Sequence, residues 1–233
     1  MLDPATLFLA VALIDTAGAV ILFILWARSR HVVGLRLLAV GMSVLALGIW
    51  LQMLRPLMPP ALGIVLANTA IQAGHGTVLI AISRLVGRAE PLGAVILLVL
   101  AATGAFIYFA VVEPQDVAIR VVVTSVVIGT LLAGSAFQLF RSTERQDRVV
   151  HRALGGVIAV AAVFMFGRAL LTHLRGSVPD MLTSDPLNIG LLLVSIVLGF
   201  VYIVGFILLV SHRLQTRLDD AIPATDERWL SDR

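Results

Sequence analysis

Seven stretches of about twenty predominantly apolar residues follow one another along the chain, at 5–26, 35–54, 62–82, 92–112, 118–140, 153–174 and 187–210, and short polar connections separate them. A helix of about 20 residues covers the roughly 30 Å of hydrocarbon in a bilayer. No water reaches the backbone there, so a spanning segment must satisfy its own amide groups, as a helix does. The expected architecture is therefore all-α: a polytopic membrane protein built as a seven-transmembrane-helix bundle over residues 1–212.

Charge gives the direction of the bundle. All 17 basic residues are Arg. Thirteen of them fall on one side, in the connections after the first, third and fifth stretches and in the C-terminal tail, from Arg28, Arg30 and Arg36 through Arg84, Arg88, Arg141 and Arg148 to Arg213 and Arg233. Only Arg55, Arg120 and Arg175 fall on the other side, and Arg168 lies inside a span. Positive charge is retained in the cytoplasm, so the N-terminus is expected outside and the C-terminus in the cytoplasm. The first stretch is preceded by Asp3 and followed by arginines, which reads as an anchor rather than a cleaved signal peptide.

Composition excludes several classes of chemistry. With 59% hydrophobic and 13% charged residues and a mean hydropathy of +1.02, the chain does not have the make-up of a water-soluble domain. It contains no Lys, which removes Schiff-base cofactors such as retinal and pyridoxal phosphate. Without Cys there are no disulfides, thiolate metal sites or cysteine nucleophiles. The net charge of +3 fits membrane orientation better than a nucleic-acid-binding face. No nucleophile elbow, HExxH helix or phosphate-binding glycine loop is present, so no enzymatic activity is expected.

Polar residues inside the apolar stretches are the candidate functional positions, because an ionisable group at mid-span costs about 2.5–3.5 kcal/mol on insertion scales. Asp15 lies near the middle of the first stretch and Arg168 in the outer third of the sixth. Their depths allow a buried Asp15–Arg168 ion pair; the functional alternative is that Arg168 faces a cavity open to the outer leaflet and takes an anionic ligand or a lipid headgroup. In the third stretch Asn68, Gln72 and His75, at i, i+4 and i+7, share one helical face that must turn into the bundle. Interhelical hydrogen bonding is one reading of that face, and a small-ligand pocket or proton path the other. His75 has no second histidine at matching depth for haem, and the remaining histidines lie at the edges, so no cofactor is expected. His173 with Asp180 and Asp185 is the one outer grouping with metal-ligand character. Ala70 with Gly74, Ala101 with Ala105 and Gly129 with Ala133 set small residues four apart, a spacing that permits close helix contact.

After the last stretch, Leu214, Leu218 and Ile222 recur at helical spacing until Pro223. Residues 213–233 therefore read as a cytoplasmic amphipathic helix and tail. Four segments resemble the N-terminal multi-span sensor region of bacterial GGDEF proteins, the diguanylate cyclases. They are Gly34-Leu35-Arg36-Leu37-Leu38-Ala39-Val40-Gly41, Ile64-Val65-Leu66-Ala67-Asn68, Ser83-Arg84-Leu85-Val86-Gly87-Arg88 and Arg168-Ala169-Leu170. The resemblance covers residues 2–222. It implies a sensor in the bacterial inner (cytoplasmic) membrane that passes its state through a short cytoplasmic helix to a cyclase making cyclic di-GMP, and, because cyclase output domains of that family act in pairs, a homodimer through the small-residue faces. Ala224-Thr225-Asp226-Glu227 resembles the opening of a GGDEF domain, but Arg228-Trp229-Leu230-Ser231 departs from the family's continuation, and no cyclase residue carries over.

The expected function is thus a non-catalytic sensory or signal-transducing module, in contact with membrane lipid and with a cytoplasmic output domain or partner protein. A small-solute transporter or channel and an accessory subunit of a membrane complex are the alternatives. Against a transporter stand the missing internal repeat and the lack of paired broken helices.

Overall fold

The computed structural model describes residues 3–113, 116–142 and 148–176, together with residues 189–190, 192–193, 195–197, 199–200, 203–208 and 210–211. Six long helices account for most of them: α1 (Pro4–Arg28), α2 (Leu35–Leu54), α3 (Pro60–Leu85), α4 (Leu92–Val111), α5 (Val117–Phe140) and α6 (Arg148–Arg175). Each is long and apolar enough to cross a membrane. No strand occurs among the described residues. The described positions between 189 and 211 are helical as well. The rest of the expected seventh span, most of the loop 175–186 and the tail 213–233 lie outside the described residues.

Local chemistry sets the helix ends. Asp3 caps α1 by accepting hydrogen bonds from the Ala5 and Thr6 amides, and Pro4 occupies the first turn, where no donor is lost. Asp116 caps α5 through the Ile119 amide. Within the spans, hydroxyls find partners in their own helix: Thr16, Ser43, Thr77, Ser83, Thr103, Thr130 and Ser135 each donate to the carbonyl four residues back. The helices can therefore carry these groups through hydrocarbon with no unsatisfied donor.

Consecutive helices pack side by side, and α3 is the hub, lying against α2, α4 and α5. α1 packs on α2 and α6 on α5, while α1 and α6 have no extended contact with each other. The described part of the seventh stretch fills that gap. A Cβ on Gly18 of α1 would come within 2.6 Å of the Ile203 side chain, and one on Gly205 within 2.5 Å of Leu154 of α6. α1, α2, α3, α5, α6 and the seventh stretch thus form a ring, and α4 sits outside it on α3 and α5.

One half of the ring is solid. At the end carrying Arg28, Leu85 and Phe140, the buried cluster of Leu22, Leu35, Leu38, Ile82, Leu139, Leu154, Ile158, Phe206 and Val210 closes the centre. A second cluster, including Val95, Ala102 and Phe106 with Leu79 and Leu131, holds α4 against its neighbours. The outer surface is apolar: Leu13, Ile24, Leu97, Leu100, Val163, Leu170 and Leu174 are all exposed. A continuous apolar exterior around a packed helical core is the surface of a multi-pass membrane protein, with lipid as its solvent. The turns at the solid end are tied by polar contacts. Arg84 and Glu90 form an ion pair, the Arg88 guanidinium donates to the Arg141 carbonyl at 2.7 Å, and Arg30 and Arg36 each lie 5.8 Å from the Trp26 ring centre. The hydrogen bond from Arg84 holds the Glu90 carboxyl below the usual glutamate range.

Candidate ligand-binding cavity

The other half of the ring is hollow. A cavity of about 370 Å³ lies between α1, α2, α3, α5, α6 and the seventh stretch. Its walls are mostly apolar, with Phe8 and Val11 from α1, Met42, Leu45 and Ile49 from α2, Val121 and Ile128 from α5, and Phe164 and Met165 from α6. This is the composition expected of a small-molecule site, a concave apolar surface with a few placed polar groups.

Four of the five intramembrane polar residues singled out in the sequence line this space: Asp15, Asn68, His75 and Arg168. Asn68 is fixed structurally. Its Nδ2 donates to the Ile64 carbonyl at 2.8 Å, and its Oδ1 lies 3.2 Å from the Thr124 hydroxyl, joining α3 to α5. His75 faces the cavity with Nδ1 buried and without a hydrogen-bond partner. Gln72 does not join them. One hundred degrees per residue turns it about 40° away from Asn68, into packed protein, where it is fully buried and neither side-chain polar atom has a partner. Helical spacing placed all three on one broad face, but the cavity takes only its Asn68–His75 side.

Asp15 and Arg168 both reach the cavity, yet they do not pair. Among the described residues the one ion pair is Arg84 with Glu90, so the expected Asp15–Arg168 bridge is not formed. The reason is the ring: the seventh stretch stands between α1 and α6, and the Asp15 carboxylate lies against it, with Oδ1 3.8 Å from where a Cβ on Gly199 would sit. Asp15 is only 7% exposed. A paired Asp15 and Arg168 would lose about 3–5 kcal/mol on removal of one partner. Here Asp15→Asn and Arg168→Gln are expected to act additively in the ligand-free protein, with a coupling below about 0.5 kcal/mol in detergent unfolding. A coupling of 2 kcal/mol or more, on the scale of contacting residues, would restore the ion pair.

Five further polar residues at the cavity went unread in the sequence: Gln52, Arg55, Arg120, Thr124 and Ser195. Arg55 follows α2, Arg120 is in the first turn of α5, and Gln52 is in the last turn of α2. The two arginines were counted as loop charge. The spacing Val117, Arg120, Val121, Thr124 and Ile128 is the i, i+3, i+4 signature of one face of α5, and it shows that Arg120 shares the inward face. Arg120 is buried accordingly. The outer grouping of His173 with Asp180 and Asp185 falls partly outside the described residues.

A comparison with known protein families, with curated proteins and with solved structures finds no match. The cavity must therefore be read from its own chemistry.

Proposed function

We propose that the chain is a non-catalytic signal-transducing module of the bacterial cytoplasmic membrane. In this reading it is a bundle of seven spans, with the N-terminus outside and the C-terminus inside, which receives a small ligand in its outer half and passes the occupied state to a cytoplasmic output domain or partner. The observation that carries the reading is the position of the cavity. It is walled on one side by Leu192, Ser195 and Gly199 of the seventh stretch, the segment that leads to the tail at 213–233. A ligand there touches the element through which a signal must leave. The opposite half of the ring is closed by the large apolar cluster around Leu35, Leu139 and Phe206, which favours a one-sided receptor over a pathway for solute. The resemblance of the spans to sensor regions of GGDEF proteins suggests cyclic di-GMP signalling as the output.

The test is independent of the ligand's identity. Because the chain has no Cys, single spin labels can be placed at His31→Cys and Gln215→Cys without background. Filling the cavity by Val121→Phe, or separately by Ala161→Phe, is expected to shift the label-to-label distance in nanodiscs by about 1–2 Å or more, the scale of helix shifts in switching proteins. An unchanged distance distribution in two folded variants would refute transmission through the seventh stretch. Accumulation of labelled amino acids or organic anions in reconstituted vesicles would establish the transporter instead.

A further inference from the structure

Four charged side chains line the cavity; Arg55 and Arg120 have interactions of their own, whereas Asp15 and Arg168 share its space without sharing a bond. Asp15 and Arg168 both line it, and neither has an ionic or hydrogen-bonding partner among the described residues. An unpartnered carboxyl and an unpartnered guanidinium in a mostly apolar cavity are each poorly satisfied, because the carbon of its walls cannot replace water. Their separation in the ring, with the seventh stretch between their helices, prevents them from relieving each other.

The charge pattern restricts what relieves both. A ligand with a single negative charge satisfies Arg168 and leaves Asp15 without a partner. A ligand with a single positive charge does the reverse. A zwitterion offers an anionic group to Arg168 and a cationic one to Asp15, and so gives each of them a partner. The apolar walls, with Phe8, Met42, Ile128 and Met165 among them, call for an apolar body between or beside the two groups. At about 370 Å³ the cavity is in the lower part of the size range of small-molecule sites.

We infer that the cavity is a site for a small zwitterion with an apolar body, an apolar amino acid, its carboxylate at Arg168 and its ammonium at Asp15. His75 Nδ1, buried and unpartnered at the same cavity, provides a further polar contact. This inference rests on the reading of the cavity as a ligand site and names the chemical class of that ligand.

The experiment uses the full chain in nanodiscs, with binding followed by calorimetry and by thermal unfolding. L-phenylalanine is the probe, N-acetyl-phenylalanine its analogue without the ammonium, and phenylalanine amide its analogue without the carboxylate. Phenylalanine is expected to bind and to raise Tm by roughly 5–10 °C at a hundredfold excess over Kd. Each analogue is expected to bind at least tenfold more weakly. The variants assign the two ends. In Asp15→Asn the tenfold penalty for acetylation should shrink to under threefold while the penalty for the amide persists, and in Arg168→Gln the pattern should reverse. A merely structural role for either residue would weaken all three probes equally. N-acetyl-phenylalanine or decanoate binding as tightly as phenylalanine would show a plain anion site and overturn the inference, as would the failure of phenylalanine to bind the folded wild-type chain. If those failures occur while cavity filling still shifts the label distances, the ligand class is wrong and the receptor reading stands.

Discussion

Replacing Gly74 by valine is expected to stop recovery of monodisperse protein, whereas the same change at Gly104 leaves the chain indistinguishable from wild type. α2 and α3 pack backbone against backbone. A Cβ at Gly74 would lie 2.7 Å from the Leu45 amide nitrogen, one at Gly48 2.7 Å from the Ile71 nitrogen, and one at Gly41 3.0 Å from the Val78 nitrogen. No rotamer change relieves a clash with backbone. Reaching ordinary contact at Gly74 requires the two helices to separate by about 0.7 Å, and packed interiors resist such displacement. In lipid this matters more than in water, because close packing rather than a hydrophobic driving force holds spans together. Gly74→Ala is expected to cost roughly 1–3 kcal/mol, a fall in Tm of roughly 3–10 °C in detergent, and Gly74→Val more than the bundle can absorb. Gly104 of α4 has nothing within 4 Å of its would-be Cβ, so Gly104→Val should move Tm by less than about 2 °C. Equal behaviour of the two valine variants would mean that the α2–α3 approach does not hold the fold.

That contrast between two glycines also marks what hydropathy cannot see. The stretches at 35–54 and 118–140 match α2 and α5 to within a residue, because hydropathy and helix end together there. α6 begins at Arg148, five residues before the apolar stretch, because its first turns carry Arg148, His151 and Arg152 and leave the hydrocarbon while keeping their backbone bonds. The ring with α4 outside it leaves no trace in the sequence. Each span reads as apolar, and only contact says which neighbours it meets. The same limit acts at the cavity. Asp15, Asn68, His75 and Arg168 were legible since a polar group in an apolar run is costly and must face inward. Whether Asp15 meets Arg168 depends on the azimuths of α1 and α6 and on what stands between them, and depth along a helix carries neither.

Reporter fusions are expected to divide cleanly. Alkaline phosphatase, active only outside, should work after Pro59, Gln115 and Asp180, and a cytoplasmic reporter after Arg30, Arg88, Arg148 and Arg233. The motive is the retention of positive charge on the cytoplasmic side, and the fold sharpens it. The connections after α1, α3 and α5 bring Arg28, Arg30, Arg36, Arg84, Arg88 and Arg141 to one end of the bundle, where the Arg88 side chain reaches the Arg141 carbonyl. Arg30 and Arg36 lie near Trp26, an aromatic at the level expected for a membrane interface. At the other end, Arg55 and Arg120 line the cavity, so in the proposed orientation the outer loops present less positive charge than the sequence count implies. Reporter activity should differ between the two sets by an order of magnitude or more, since each fusion is either exported or retained. Two inverted fusions would overturn the orientation. Changing Arg28, Arg30 and Arg36 together to Gln should weaken the division at the first connection before any other, because that loop sets the direction of the first two spans. If the triple variant inserts unchanged, orientation is governed by the later clusters at Arg84–Arg88 and Arg141–Arg152, and the same substitution there should produce the inversion.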